Sequence, residues 1–407
     1  MLLNDADPAA ASLHGPQLDR IAEHLETRYL HPGKIPGCLV AVMRDDKLGY
    51  LYTGGFRDLE RQEPVTTDTV FRIYSMTKPI TSIALMTLWE QGLFSLNDPV
   101  ARFIPEFEGL RVRTGGSWPL FETRPAETTM TVRDLLCHTS GLTYDFLRAT
   151  NIDYAYRKLQ VGRPQPGYTL DTMVQQLSGL PLEFSPGTRW GYSVATDALG
   201  LLIERLSGKP FATYLEDTIF RPLGMTETNF APREDQIPRF ASCYMRDMDK
   251  KLILQDDGQD SQYVGRTFHS GGGGLVSTAG DYLSFCRMLA NGGTLNGHRI
   301  IGSRTLELMT ANHLPGGGDL ASLSVAGFSE TDHEGVGFGL GFASKLDPVK
   351  NGYPATMGSF YWGGLASTLF WVDPEEDLVV LFLTQLIPSS TFNFRGQLEA
   401  LVYAALE

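Results

Sequence analysis

The chain has 407 residues, of which 42% are hydrophobic and 20% are charged, a composition typical of a soluble globular protein. This length favours two lobes, and the net charge of −13 argues against a nucleic-acid partner, which usually needs a basic surface. No segment approaches the roughly 18 consecutive apolar residues of a membrane span, and residues 1–25 lack the pattern of a secretory signal. We therefore expect a cytoplasmic protein that has no nucleic-acid or membrane partner.

The N-terminal part of the chain predicts a helix, a hairpin and a second, buried helix. Apolar residues recur at helical spacing over residues 17–30, and two β-prone runs follow at residues 37–43 and 48–53. A turn-like Arg-Asp-Asp separates these runs, which predicts an antiparallel hairpin. After Ser75, a segment that is apolar around most of the helix circumference extends to about Gly92, and this indicates a helix buried on all sides.

The middle of the chain predicts short helices joined by irregular loops. Residues 111–129 and 159–168 are rich in Gly, Pro and Arg, which favours surface loops. A capping box of Thr278 and Asp281 predicts the start of a helix over residues 278–289. Residues 314–337 predict a loop that is long enough for a flap over a functional site.

Strands return near the C-terminus and define the fold class. The runs at residues 339–346, 365–372 and 378–385 predict strands, and residues 392–406 predict a helix. We expect an α/β fold of the α+β type, in which an antiparallel sheet is built from the N- and C-terminal segments and flanked by helices.

This pattern also predicts the domain organisation. Residues 1–92 and 256–407 would form the α/β domain, and residues 93–255 would form a mainly helical lobe inserted into it. A small-molecule site would lie in the cleft between the two, because such clefts are favoured places for binding.

The cysteines and histidines give no sign of a metal site. The four cysteines lie apart in apolar segments without a C-x-x-C pair, so we expect buried thiols. The eight histidines lack H-E-x-x-H spacing. We therefore expect neither a metal nor a cofactor.

Ser75-Met-Thr-Lys78 is the most informative motif of the sequence. It lies where a β-prone run ends and the buried helix begins, and residues three apart meet on one face of a helix. Free backbone N–H groups and the helix dipole favour negative charge at this end. Ser75 and Lys78 are therefore suitable as a nucleophile and an adjacent base. The structural alternative is a serine that caps the helix and a lysine that is exposed to solvent.

Two further motifs follow in the chain. Tyr192-Ser-Val lies on a Pro-Gly-containing loop just before an apolar helix, which could direct a phenol into a cleft. Trp362-Gly363-Gly364-Leu365 precedes a probable strand, and paired glycines allow the backbone to approach a ligand closely. The free N–H of such a strand could complete an oxyanion hole with the N–H of Ser75.

These three ordered motifs resemble the serine β-lactamase and penicillin-binding-protein superfamily, and within it the family VIII carboxylesterases. The resemblance covers residues 20–400 and implies a β-lactamase/transpeptidase-like fold. It also implies that Ser75 is acylated, that Lys78 and Tyr192 act as base and proton relay, and that the N–H groups of Ser75 and Leu365 form the oxyanion hole. Tyr144, which follows a His-Thr-Ser-Gly segment, would bind substrate together with Trp362, Gly363 and Gly364.

Two departures from the class C β-lactamase pattern bear on the substrate. Val194 and Trp362 occupy the places of an asparagine and a lysine, whose amide and cation would bind a β-lactam. The resemblance therefore implies a serine carboxylesterase for short-chain esters, with weak β-lactam hydrolysis as a side reaction.

Several alternatives stay open at this point. An acyltransferase, a D-amino-acid peptidase or a β-lactamase would use the same residues, and a catalytically silent scaffold would keep only the fold. The sequence does not decide whether Lys78 or Tyr192 is the base, because both have reference pKa values of about 10. His138 could be a base, but its apolar neighbours Leu135 and Leu136 favour a structural role. The absence of G-x-S-x-G argues against the ordinary α/β-hydrolase fold.

Overall fold

An antiparallel sheet to which both ends of the chain contribute is the largest element of the fold. The structure, a computed structural model, describes residue 3, residues 5–325 and residues 333–406. The strands in this part of the chain are β1 (Gly37–Arg44), β2 (Lys47–Asp58), β3 (Glu63–Pro64), β4 (Val70–Arg72), β5 (Arg111–Ser117), β6 (Leu120–Pro125), β7 (Cys243–Arg246), β8 (Leu252–Asp256), β9 (Val276–Thr278), β10 (Thr294–Leu295), β11 (His298–Arg299), β12 (Val336–Phe338), β13 (Ala343–Lys345), β14 (Phe360–Gly363), β15 (Leu369–Asp373), β16 (Leu378–Thr384) and β17 (Leu386–Ile387).

Helices cover the sheet and fill the middle of the chain. They are α1 (Gly15–Leu25), α2 (Thr77–Glu90), α3 (Val132–Leu136), α4 (Asn151–Leu159), α5 (Leu170–Ser178), α6 (Ala195–Ser207), α7 (Phe211–Leu215), α8 (Arg221–Leu223), α9 (Ala279–Ala290), α10 (Ser303–Thr310), α11 (Leu320–Leu323), α12 (Pro348–Asn351) and α13 (Phe394–Tyr403). Among the described residues, no helix combines the length and the apolar character that crossing a membrane needs.

Eight strands join in the order β12-β13-β14-β15-β16-β1-β2-β3 in the described part of the chain. The N-terminal and C-terminal segments meet inside this sheet, where β1 pairs antiparallel with β16 from Cys38 opposite Thr384 to Arg44 opposite Leu378. Both strands are almost continuously apolar and buried, as expected where helices cover both faces of a sheet. The α/β fold with an antiparallel sheet from both ends is therefore confirmed, while the division into two lobes stays a prediction.

Helix α2 is buried around its whole circumference, as its sequence predicts. It packs against α6, and α9 packs against β15 and β16.

The helix over residues 278–289 begins as predicted, with the hydroxyl of Thr278 accepting the Asp281 N–H. The carboxylate of Asp281, however, accepts hydrogen bonds from the Glu227 N–H and the Thr228 hydroxyl. The four cysteines are free and buried, in agreement with the prediction.

Residues 111–129 lie mostly at the surface as predicted, but the irregular loop is wrong, because β5 and β6 form a hairpin there. Leu182 bonds to both Arg111 and Arg113 and attaches the hairpin to the body of the protein. Gly116, at φ 70°, allows the tight end of the hairpin. The glycines that suggested a loop are therefore the residues that permit the irregular pairing of the two strands.

Two of the predicted strands are interrupted or shortened. Residues 339–346 contain a reversal between β12 and β13, since Gly341 has φ 97° and Gly339 N–H bonds to Phe342 O at 2.7 Å. The strand predicted from Leu365 begins only at Leu369, because a turn precedes it in which Ser367 has φ 63°. The flap predicted at residues 314–337 contains α11, and its residues 326–332 lie outside the described residues.

A buried ion pair joins α13 to the sheet. Lys345 Nζ lies 3.0 Å from a Glu399 oxygen, and the two side chains are 2% and 1% exposed. Burial lowers the pKa of Lys345, while Glu399 acts in the opposite direction. Removing one partner of such a pair leaves an uncompensated charge in the interior.

We expect Glu399→Ala to lower the free energy of unfolding by about 3–5 kcal/mol, because Lys345 stays buried without its carboxylate. Urea unfolding followed by circular dichroism measures the change. The control is Glu307→Ala, which breaks the exposed pair with Arg304, whose side chains are 59% and 89% exposed. That change should stay within about 1 kcal/mol, and equal losses for both variants would contradict the assignment.

Candidate active site

Ser75 lies on a strained turn between β4 and α2. Residues Tyr74–Met76 form a 3₁₀ turn, and Tyr74 adopts φ 41°, which is rare for a bulky residue and costs about 1–3 kcal/mol. The turn is held from both sides, since Met76 N–H bonds to Ile73 O and Tyr282 Oη donates to Met76 O. Ser75 is partly exposed. Its backbone N–H lies at the start of the 3₁₀ turn, where N–H groups have no acceptor within the turn itself. This conformation presents the serine to the solvent side of the turn.

Lys78 lies one helical turn after Ser75, and their side chains meet as the three-residue spacing predicts. Lys78 Nζ is 3.2 Å from Ser75 Oγ and 2.6 Å from the carbonyl oxygen of Gly272. The lysine is only 1% exposed. Burial lowers its pKa to about 7, and the negative charge of Asp197 opposes part of this effect. A large fraction of the amine is therefore neutral at physiological pH.

Tyr192 lies on the loop before α6 and is brought against the lysine. The Lys78 nitrogen is 4.5 Å from the centre of the Tyr192 ring and 5.1 Å from that of the Tyr144 ring. The two aromatic rings themselves are 5.1 Å apart. The structure thus brings together Ser75, Lys78, Tyr192 and Tyr144, which the sequence could only place in order along the chain.

His138 packs against Tyr192 and Ser193. Its ring centre is 5.0 Å from that of Tyr192, and its Nδ1 is 3.1 Å from Ser193 Oγ. Burial and the nearby Lys78 lower the pKa of His138 well below its ordinary value, which favours the neutral ring. These contacts support the structural role that the sequence favours for this residue.

The Trp362-Gly-Gly segment ends β14 beside the turn that carries Ser75. A Cβ on Gly364 would lie 2.5 Å from the carbonyl oxygen of Ile73, so only glycine allows this approach. Ser75 and Leu365 line the same pocket. In the part of the chain that the structure describes, the Leu365 N–H bonds to no protein acceptor. The pairing of these two N–H groups in an oxyanion hole stays a prediction.

Asp197 is a residue of the site that the sequence analysis missed. It lies in the first turn of α6, and its carboxylate accepts hydrogen bonds from Gly272 N–H and from Ser270 Oγ. Burial raises its pKa, while Ser270 and Lys78 lower it. An acidic residue in the first helical turn is common for helix stability alone, so no separate sequence signal marks this position.

The pocket at Ser75 has a volume of about 150 Å³ and a largely apolar wall. Its lining residues include Tyr144, Phe146, Val161, Val194 and Leu365. Trp362, for which the sequence predicts an apolar wall, packs its ring against those of Tyr192 and Phe338. Any effect of Trp362 on substrate therefore includes the placement of Tyr192.

The chain is similar to known proteins over most of its length. The beta-lactamase family model matches residues 22–404. Esterase EstB of Burkholderia gladioli is 32% identical over 399 residues, which cover 93% of each chain. The lovastatin esterase of Penicillium rubens is 30% identical and covers 85% of this chain and 88% of its own.

A solved structure extends the comparison to three dimensions. EstCE1, described as a hydrolase with promiscuous acyltransferase activity, superposes with a TM-score of 0.76 at 24% identity. The match covers 96% of this chain and 97% of the other. At this identity the likeness shows a shared fold.

We expect Gly364→Ala to lower the rate at which a fluorophosphonate labels the protein by about 100-fold, because the added Cβ must displace the Leu365 turn from the Ser75 turn. Gel-based labelling kinetics measure the rate. Gly179→Ala is the control, since its Cβ would meet only Gln176 O, at 3.6 Å. Unchanged labelling in a folded Gly364→Ala variant would contradict the close approach of the two turns.

Proposed function

The chain belongs to the beta-lactamase family and is a serine hydrolase of the carboxylesterase type, and we propose that it hydrolyses short-chain carboxylic esters through an acyl-enzyme on Ser75. The observation that carries the proposal is the contact between the buried Lys78 amine and the partly exposed Ser75 hydroxyl. A nucleophile with an adjacent base is the arrangement that covalent acyl transfer requires.

In the acylation step, Ser75 Oγ attacks the ester carbonyl carbon and its proton passes to the neutral amine of Lys78. The negative charge that develops on the carbonyl oxygen is stabilised by the N–H groups of Ser75 and Leu365. As the tetrahedral intermediate collapses, the bond to the leaving oxygen breaks. Tyr192 protonates that oxygen and regains a proton from the ammonium group of Lys78, so the alcohol leaves neutral.

In the deacylation step, water takes the place of the alcohol. The same lysine and tyrosine remove one proton from the attacking water, and the new C–O bond forms as the bond to Ser75 Oγ breaks. The proton returns to the serine, and the carboxylic acid is released. No cofactor or metal is needed to balance either step.

The pocket favours neutral esters with small acyl groups. Val194 and Phe146 contribute apolar surface, and a volume of about 150 Å³ accommodates a short chain. Val194 offers no amide to a β-lactam side chain, and Trp362 offers no cation to its carboxylate. These positions support ester hydrolysis as the main activity and weak β-lactam hydrolysis beside it.

An acyltransferase with the same acyl-enzyme is the second candidate. The specific observation in its favour is the apolar pocket wall of Tyr144, Phe146, Val161 and Val194, which would also bind an acceptor alcohol in place of water. Added short-chain alcohols distinguish the two: a transferase accumulates new ester, whereas a hydrolase continues to release acid.

We expect p-nitrophenyl esters of two to six acyl carbons to be hydrolysed faster than longer esters and much faster than nitrocefin. Ser75→Ala should abolish this turnover, whereas Ser178→Ala, which lies outside the pocket, should retain it. Absorbance at the p-nitrophenolate band measures the rates. Nitrocefin cleavage that outpaces every ester would replace the esterase proposal with a β-lactamase, and ester turnover that survives in Ser75→Ala would remove Ser75 as the nucleophile.

We expect kcat/KM to rise with pH along an acid limb near 7. Lys78 is an inactive ammonium below its pKa of about 7 and a neutral base above it. Lys78→Arg should lose roughly 100- to 10,000-fold in kcat/KM, because a guanidinium does not deprotonate in this range. A pH series on p-nitrophenyl butyrate tests both points. Near-complete turnover in folded Lys78→Arg would exclude a neutral lysine base.

A further inference from the structure

A buried carboxylate outside the reaction described above is connected to Lys78 through the backbone. Asp197 is 3% exposed, and one of its oxygens accepts the Gly272 N–H at 3.0 Å and the Ser270 hydroxyl at 2.5 Å. The carbonyl oxygen of Gly272 in turn accepts a hydrogen bond from Lys78 Nζ at 2.6 Å. A continuous path therefore leads from Asp197 through Gly272 and Lys78 to Ser75.

The peptide between Gly271 and Gly272 is fixed from two sides. Asp197 binds its N–H group, and Thr81 Oγ1 donates to its carbonyl oxygen at 2.9 Å. Thr81 follows Lys78 by one turn on α2, so the helix that carries the amine also holds the glycine segment. These two hydrogen bonds determine the direction of the Gly272 carbonyl. The position of the Lys78 amine, which donates to that carbonyl, therefore depends on them as well.

The glycine segment lies directly against the carboxylate. A Cβ on Gly272 would be 2.6 Å from Asp197 Oδ2 and 2.6 Å from the hydroxyl oxygen of Tyr144. No other residue type fits at this position without moving Asp197 or Tyr144. The close fit excludes a side chain between the carboxylate and the site.

Asp197 also acts on Lys78 through its charge. Its negative charge favours the ammonium form of Lys78, in opposition to burial. The charged and titratable groups that face this pair come from several elements: Tyr144, Tyr168, Tyr192 and Arg266 around the site, and His138 beside the lysine. Asp145, which pairs with Arg163, is a second carboxylate that lines the pocket, but the carboxylate whose charge acts on Lys78 is that of Asp197.

We propose that Asp197 is a positioning residue that holds the Lys78 amine at Ser75 through Gly272 and whose charge sets the pH at which that amine becomes the base. This inference rests on the proposed function, because it assigns to Lys78 the acceptance of the Ser75 proton. Asp197 also lines the pocket at Ser75, and in this account it positions Lys78 and does not react with the substrate.

The test compares Asp197→Asn with Asp281→Asn. Both carboxylates are buried in the first turn of a helix and accept one backbone N–H and one hydroxyl. Asp281 and its partners Glu227 and Thr228, however, do not line the pocket at Ser75. Asparagine keeps an oxygen for both hydrogen bonds and removes the charge. The probe is a fluorophosphonate. In the labelling reaction, Ser75 Oγ forms a bond to phosphorus, fluoride leaves and the serine proton passes to Lys78.

In Asp197→Asn we expect the acid limb of the labelling rate to move to lower pH by on the order of one unit, because the ammonium form loses a stabilising charge. In Asp281→Asn the acid limb of the labelling rate should have the same pH midpoint as in the wild-type protein. Asp197→Ala should also lower the labelling rate on the plateau above the acid limb by at least about tenfold, because the hydrogen bond that holds the Gly272 N–H is lost. If the acid limb of the labelling rate has the same pH midpoint in Asp197→Asn and in Asp281→Asn, the proposal is overturned.

A second readout does not depend on enzymatic activity. The pH titration of the Lys78 Cε signal in NMR spectra, assigned by its absence in Lys78→Arg, should show a lower midpoint in Asp197→Asn than in Asp281→Asn. An unchanged midpoint would contradict the role of Asp197. If Ser75 fails to label while the midpoint still moves, the proposed function fails and the coupling of Asp197 to Lys78 stands.

Discussion

The burial of the Lys78 amine is the constraint on which the rest of the site depends. A cation removed from water is costly unless it is paired, and here its neighbours are a carbonyl oxygen, a hydroxyl and the faces of two tyrosines. The protein meets this cost by lowering the pKa of the amine to about 7. In the proposed mechanism, a group that would be a permanent charge at the surface serves as a base beside Ser75 at neutral pH.

The fold supplies the rigidity that this arrangement needs. Ser75 and Lys78 belong to one buried helix and its entry turn, Gly364 lies against that turn from the sheet, and Asp197 holds the Gly272 segment from α6. The strained backbone of Tyr74 persists because these neighbours fix it. Segments distant in the sequence therefore converge on one amine and one hydroxyl, beside a pocket with a largely apolar wall.

Much of this architecture could be predicted from the sequence, because local patterns encode it. The β1–β2 hairpin, the buried α2 and the meeting of Ser75 with Lys78 follow from hydrophobic period and helical spacing. The β5–β6 hairpin was missed because its glycines resemble those of a loop, and the reversal at Gly341 because an apolar run does not reveal a turn. Asp197 was missed for a different reason, since its partners lie more than 70 residues away in the chain.

The acyl-enzyme is the central claim of this account, and rapid acid quenching tests it most directly. The enzyme is mixed with excess p-nitrophenyl butyrate, quenched during turnover and digested, and the peptides are analysed by mass spectrometry. The account predicts one butanoyl group on the peptide that contains Ser75, at the serine itself, and none in Ser75→Ala. Acylation of another residue, or turnover with no acylated peptide at any quench time, would contradict it.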